Sequence, residues 1–87
     1  LDNLLSALGK KEFTTVKNWV VQHMDNDPSS VMRKIYDSLY GVLKPPSIPE
    51  AVLIMAKYMK DITLVPDQEI NMLACLTEIM MSCEFKK

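Results

Sequence analysis

The 87-residue chain has only two glycines, Gly9 and Gly41, and a single histidine, His23. So few glycines leave no glycine-rich loop that could cradle a phosphate, and neither a G-x-x-x-x-G-K-[ST] run nor a G-x-S-x-G run occurs. One histidine also falls short of the three or four ligands that a zinc site requires. We therefore expect no catalytic, cofactor-binding or metal-ligating residues within this chain.

The chain also lacks a charge excess and a long apolar run. Its net charge is −1, so no overall positive field draws it to nucleic acid or to an anionic membrane surface. The candidates for a local basic patch are only pairs of adjacent residues, Lys10–Lys11, Arg33–Lys34 and Lys86–Lys87. No stretch of 18 apolar residues predicts a membrane-spanning helix, and no signal-peptide pattern opens the chain.

Cysteine is scarce as well. Cys75 and Cys83 lie eight residues apart in one predicted helix, which places their Cα atoms about 12 Å from each other, beyond the reach of a disulfide. Two reduced, buried thiols are typical of a cytosolic protein, so we expect a cytoplasmic location. The first residue is Leu1 and not methionine, which suggests a fragment of a longer protein.

What the sequence does contain is helical periodicity from end to end. Hydrophobic residues make up 48% of the chain and charged residues 24%, as in ordinary globular proteins. The spacing predicts an all-α fold, a compact bundle of five helices in one domain spanning residues 1–87. The first predicted helix ends at Gly9, and the second runs from Lys11 to Met24. The third begins at the Asp27 cap with Pro28 and ends at Lys44. The fourth runs from a capping box at Ser47 and Glu50 to Asp61, and the fifth from Pro66 to Glu84.

The last two predicted helices are apolar over too much of their circumference. At about 100° per residue, their apolar side chains cover arcs of roughly 200° and 220°, whereas a surface helix needs about 100°. A bundle this small has little interior in which to bury both helices on two sides. We therefore predict that the surplus faces another protein, with six interface positions: Leu53, Ile54, Met72, Leu76, Met80 and Cys83.

For the remaining residues of types often found in active or metal sites, we prefer a role in packing or helix capping. His23 fits a half-buried position beside Trp19 and Met24 better than a catalytic base, and both cysteines fit the core. The Asp25-Asn26-Asp27 run resembles the opening of a calcium loop but lacks its glycine and its terminal glutamate, so capping explains it better. The seven methionines fit a core and an adaptable contact surface equally well.

Several runs together resemble a known family. They are residues 2–8, 13–24, 32–43, 48–58 and 67–76. The most telling parts are Val16-Lys17-Asn18-Trp19-Val20-Val21-Gln22-His23-Met24-Asp25 and Pro66-Asp67-Gln68-Glu69-Ile70-Asn71. The chain is similar to the C-terminal collar domain of clamp-loader small subunits of the replication factor C family, most closely the ATPase subunit of T-even-type bacteriophage clamp loaders. The resemblance covers almost the whole chain.

This resemblance implies a role in DNA replication. A full-length subunit would carry an AAA+ ATPase module that binds ATP and Mg²⁺, followed by the collar, and five collars would pack into a ring. The ATPase modules would open the sliding clamp and place it on primer–template DNA, in the cytoplasm of an infected bacterial host. Since this chain has no ATPase module, the resemblance implies no enzymatic activity and no cofactor for the fragment itself.

Two other functions remain open at this point. One is a stand-alone helical adaptor that binds an amphipathic partner helix in a methionine-rich groove. The other is a small nucleic-acid-binding domain that uses Lys10, Lys11, Arg33 and Lys34, against which the net charge argues.

Overall fold

Five α-helices make up most of the structure, a computed structural model that describes residues 1–23, 26–60 and 62–86. The helices are α1 (Asp2–Lys10), α2 (Phe13–Gln22), α3 (Pro28–Val42), α4 (Ile48–Met59) and α5 (Gln68–Ser82), and a 3₁₀ turn at Pro45–Ser47 joins α3 to α4. The predicted all-α bundle of five helices is confirmed.

Two aspartates start the longest helices. The Asp27 side chain accepts a hydrogen bond from the Ser30 amide, and Pro28 occupies the first helical position, as the sequence predicts. Asp67 accepts a hydrogen bond from the Ile70 amide in the same way at the start of α5. Each carboxylate satisfies an amide that has no partner within its helix, which fixes where these two helices begin.

Two details at helix ends differ from the prediction, and two predicted ends are untested. Gly9 lies inside α1, and Lys11 takes the left-handed conformation beyond it, with φ 59°. Ser47 and Glu50 form no capping box, because the Ser47 hydroxyl binds elsewhere. The predicted ends of the second and fourth helices, at Met24 and Asp61, lie outside the described residues, as does Asp25.

The hydrophobic core lies along one side of α5. Helices α1, α2, α3 and α4 all pack against it, and α1 also packs on α2 and α3 on α4. Cys75, Leu76 and Ile79 on α5 are completely buried. Leu4 and Leu8 from α1, Val16 and Val20 from α2, Met32, Ile35 and Leu39 from α3, and Ala51, Ile54 and Met55 from α4 meet them in one continuous cluster.

The C-terminal segment ties the ends of three helices together. The Lys44 amide donates to the Glu84 carbonyl at 3.0 Å, and the Lys86 amide donates to the Val42 carbonyl at 2.8 Å. Ser47, the one polar side chain buried in the described residues, accepts a 2.8 Å hydrogen bond on its hydroxyl from the Glu84 amide. Phe85 packs beside Gly9 and so joins α1 to this junction.

We expect Ser47→Ala to lower the free energy of unfolding by about 1–3 kcal/mol, because the partly buried Glu84 amide loses its acceptor. Urea unfolding followed by circular dichroism measures the change. The matched control is Ser6→Ala on the exposed side of α1, where alanine is at least as good a helix former as serine. Equal stability of the Ser47→Ala protein and the wild type would show that this hydrogen bond does not hold the C-terminal segment.

Candidate interaction surface

The six residues predicted to form a subunit interface separate into two groups. Five of them, Ile54, Met72, Leu76, Met80 and Cys83, are exposed by 5% or less and belong to the core of the chain itself. Because their side chains have no free surface, the prediction that they contact a neighbouring chain is corrected. Leu53 is 69% exposed and remains available to a partner.

The apolar surplus nevertheless exists, on the other face of α5. At about 100° per residue, the buried positions of α5 fall in one arc of roughly 140°. Ile70, Leu73, Ala74 and Met81 fall in an adjoining arc of roughly 100°, together with Thr77. Leu73 lies at the edge of this arc and still packs against the core, whereas the middle of the arc points away from it. Ile70 is 65% exposed and Met81 68%, while Leu73 and Ala74 are partly exposed. We call this arc the outer face of α5.

A shallow groove of about 540 Å³ follows this outer face. Phe13, at the start of α2 and 44% exposed, forms one wall, and the residues of the outer face form the floor. Glu78, on the α4 side of the groove, is the one charged residue in its lining. An exposed floor of isoleucine, leucine and methionine beside a phenylalanine suits an apolar surface of another protein.

A small polar cluster fixes the α4 side of the groove. The Lys57 ammonium donates to both carboxylate oxygens of Glu78 at 2.7 and 2.9 Å, and the Tyr58 hydroxyl donates to one of them at 2.8 Å. The hydrogen bond from Lys57 has the largest effect and, with that from Tyr58, lowers the pKa of the Glu78 carboxyl. The hydrogen bond between Tyr58 and Glu78 also raises the pKa of the Tyr58 hydroxyl. The charge of Glu78 is therefore balanced within the chain, so the groove presents little net charge to a partner.

Helix α4 adds a smaller apolar strip. Val52 and Leu53 are exposed and Ala56 lies on the same side, since residues three and four apart share a helix face. Helices α4 and α5 run antiparallel. The Asn71 side chain near the start of α5 donates a hydrogen bond to the Tyr58 carbonyl near the end of α4. At the opposite ends, the Cys83 thiol contacts the Ser47 carbonyl. Leu53, one turn before Lys57, therefore lies level with the last turn of α5, which carries Met81.

A second side of the molecule has apolar residues that are half-buried. Leu5, Val42 and Phe85 line a cleft of about 600 Å³ between α1 and the end of α3, with Asp2, Lys10 and Lys86 around them. None of the residues that line this cleft belongs to α2, α4 or α5, so the cleft is separate from the groove. The described residues thus form two separate concave surfaces with apolar residues in their lining.

Most described methionines are core residues and do not line a groove. Met32, Met55, Met72 and Met80 are buried, Met59 is half-buried, and Met81 alone among the described methionines is largely exposed. The groove is therefore apolar without being methionine-rich, and a methionine-rich binding groove is not found among the residues that the structure describes.

His23 takes the half-buried position that the sequence predicts. Its ring stacks on Trp19 with ring centroids 3.9 Å apart, and its Nδ1 lies 2.7 Å from the Trp19 carbonyl oxygen. Both residues line a cavity of about 390 Å³ with the first turns of α3, including Asp27 and Lys34. No group of three metal-ligating side chains occurs within residues 1–23, 26–60 and 62–86.

The two thiols are core residues, as predicted. Both are free and buried, and burial raises the pKa of Cys75 to about 12. Burial also raises the pKa of Cys83. A thiol that stays protonated at neutral pH is a poor nucleophile, so both act through packing.

The four basic residues of the nucleic-acid hypothesis form two pairs on different helices, and one member of the second pair is bound to a carboxylate. Lys10 and Lys11 end α1, whereas Arg33 and Lys34 lie in α3. Arg33 forms an ion pair with Asp37, with 3.2 Å between Nε and Oδ1, and stacks over the Tyr36 ring. The ion pair reduces the local positive charge that a phosphate backbone would require.

Comparison with known proteins adds no relationship. No protein-family profile matches the chain, and no curated protein matches it.

None of the described helices is both long enough and apolar enough to span a bilayer.

The Glu78 cluster makes the stability of the fold depend on acidity. Because the pKa of Glu78 is lowered in the folded state, its contribution is present above the usual carboxyl pKa and is lost as pH falls through the lowered value. We expect Glu78→Gln to be less stable than wild type at pH 7 and to lose less stability between pH 5 and pH 2.

Thermal unfolding at several pH values measures this difference. The control is Glu84→Gln, since the exposed Glu84 carboxylate makes no hydrogen bond or ion pair within the described part of the chain. If both variants followed the wild-type pH profile in parallel, the bonds to Lys57 and Tyr58 would contribute nothing to stability.

Proposed function

We propose that this chain is an oligomerisation domain, the collar of a clamp-loader ATPase subunit in DNA replication. The observation that carries the proposal is the second apolar face of α5, which four neighbouring helices leave open. Nothing in the described residues points to catalysis, so the exposed apolar surface is the feature that requires a function.

The two surfaces support an assembly in which each copy contacts two neighbours. A ring needs heterologous contacts, in which one patch of a subunit meets a different patch of the next. The groove over α5 and the cleft between α1 and α3 are two such patches, made by different elements. A protein with one partner would need only one of them.

The size of the apolar surface sets the strength of each contact. Fully burying a large apolar side chain contributes about 1.5–3 kcal/mol. Phe13, Ile70, Leu73 and Met81 are already partly covered, so together they would contribute roughly 4–7 kcal/mol. The patch that they meet on the next copy would contribute a few kcal/mol more, and association costs about 4 kcal/mol or more, so a single contact with a net of roughly 4–5 kcal/mol is weak.

Weak single contacts are appropriate for a collar. In a closed ring every subunit is held on two sides, and its tethered modules raise the effective concentration of each contact. The resemblance to the collars of replication factor C small subunits supplies the rest of the proposal: a ring of five subunits in the cytoplasm, with ATP and Mg²⁺ bound by ATPase modules that act on the sliding clamp and primer–template DNA. An upstream coding sequence with a G-x-x-x-x-G-K-[ST] loop roughly 200 residues before Leu1 would support this family assignment.

The alternative is a stand-alone adaptor that binds one amphipathic helix in the groove over α5. The nearly uncharged lining of the groove favours an apolar helix face of any origin. Such an adaptor predicts a monomer that binds a hydrophobic dye, whereas a collar predicts self-association that hides the groove.

We expect the isolated chain to self-associate weakly, with a dissociation constant of about 0.1–1 mM, and Ile70→Asp to weaken association at least about tenfold. Analytical ultracentrifugation over a range of concentrations measures both. Aspartate at position 70 lies in the first turn of α5, where a negative charge is favourable, so the variant should fold.

The control is Leu64→Asp, the same change at a residue that is 78% exposed and lies outside both surfaces. Its association should equal that of the wild type. A chain that stays monomeric at about 1 mM, or two aspartate variants with the same effect, would contradict the proposal. The previously predicted positions Leu76 and Met80 are unsuitable for this test, because an aspartate there would unfold the core.

A further inference from the structure

Met81 differs from the other described methionines in its access to solvent. It lies in the last full turn of α5 and is 68% exposed, whereas Met32, Met55, Met72 and Met80 are exposed by 3% or less. Oxidation of methionine requires contact between the thioether sulfur and the oxidant. Among the described residues, Met81 is therefore the methionine that an oxidant in solution reaches first.

We propose that oxidation of Met81 by a hydroperoxide switches off docking at the outer face of α5. In this step the thioether sulfur takes one oxygen atom from the peroxide: the O–O bond breaks, an S–O bond forms, and the peroxide is reduced to water or an alcohol. The inference rests on the proposed function, because it assumes that a neighbouring copy covers this face.

The effect follows from the surroundings of Met81. A sulfoxide oxygen is a strong acceptor that water solvates in the free chain, and docking an apolar surface over it removes that water. The groove offers few replacement donors: Thr77 has a hydroxyl one turn earlier, and Glu78 is an acceptor already bonded to Lys57 and Tyr58. The oxidised face is thus less favourable to cover.

The fold itself should tolerate the change. Met81 points away from the buried arc of α5, so the added oxygen stays in solvent and the core is not disturbed. Association, in turn, hides Met81 from the oxidant. Oxidation therefore acts on unassembled chains and prevents them from joining, while assembled chains are protected.

The test compares the wild-type chain with Met81→Leu, which keeps the apolar volume and cannot be oxidised. Both are treated with hydrogen peroxide until peptide mass spectrometry shows one added oxygen in the wild type, and the peroxide is removed. We expect the oxygen on Met81, a melting temperature close to that of untreated protein, and self-association weaker by at least about fivefold. Treated Met81→Leu should associate as it did before treatment.

Each other result has a defined meaning. An added oxygen on another methionine, unchanged association of the oxidised wild type, or an equal loss in Met81→Leu would overturn the inference and leave the proposed function intact. If the untreated wild type and Met81→Leu both remain monomeric at about 1 mM, the proposed function itself is wrong, and the inference fails with it.

Discussion

The position of α5 among its neighbours is the constraint on which the rest of the structure depends. This helix carries apolar residues around most of its circumference, and the four other helices pack on one side of it. The buried arc packs into the core, and no helix within residues 1–23, 26–60 and 62–86 covers the opposite arc. The accessible surface of 5325 Å² is close to the ~5200 Å² expected for a compact monomer of this mass. The total exposed area is therefore ordinary, and the unusual feature is that it includes the apolar outer face of α5.

Local chemistry explains how the chain holds α5 in this position. Asp27 and Asp67 fix the starts of α3 and α5 through hydrogen bonds to amides that have no partner inside the helix. At the other end of α5, Ser47 binds the Glu84 amide and Phe85 fills the space beside Gly9. The Lys57–Glu78–Tyr58 cluster then holds α4 against α5 at the edge of the groove. These contacts orient α5 so that Ile70 and Met81 face outward.

The sequence predicted the five helices and the excess of apolar surface, but it misplaced that surface. Periodicity gives the angles between residues on one helix, and it does not say which angle faces the core. For α4 this left Leu53 and Ile54 equivalent, although one is exposed and the other buried. Phe13 is absent from the six predicted interface positions, although it forms a wall of the groove. A signal was available on α5, where Ile70, Leu73, Ala74, Thr77 and Met81 share one narrow arc distinct from that of Cys75, Leu76 and Ile79.

The hydrogen bond of Ser47 shows a second limit of sequence patterns. Ser47 and Glu50 have the spacing of a capping box, but the serine hydroxyl binds an amide 37 residues away. A capping box contributes a local bond on a solvent-exposed helix end, whereas the Glu84 amide is partly buried and would lose more if left without an acceptor. The partner amide lies at the far end of the chain, so no local motif could reveal it.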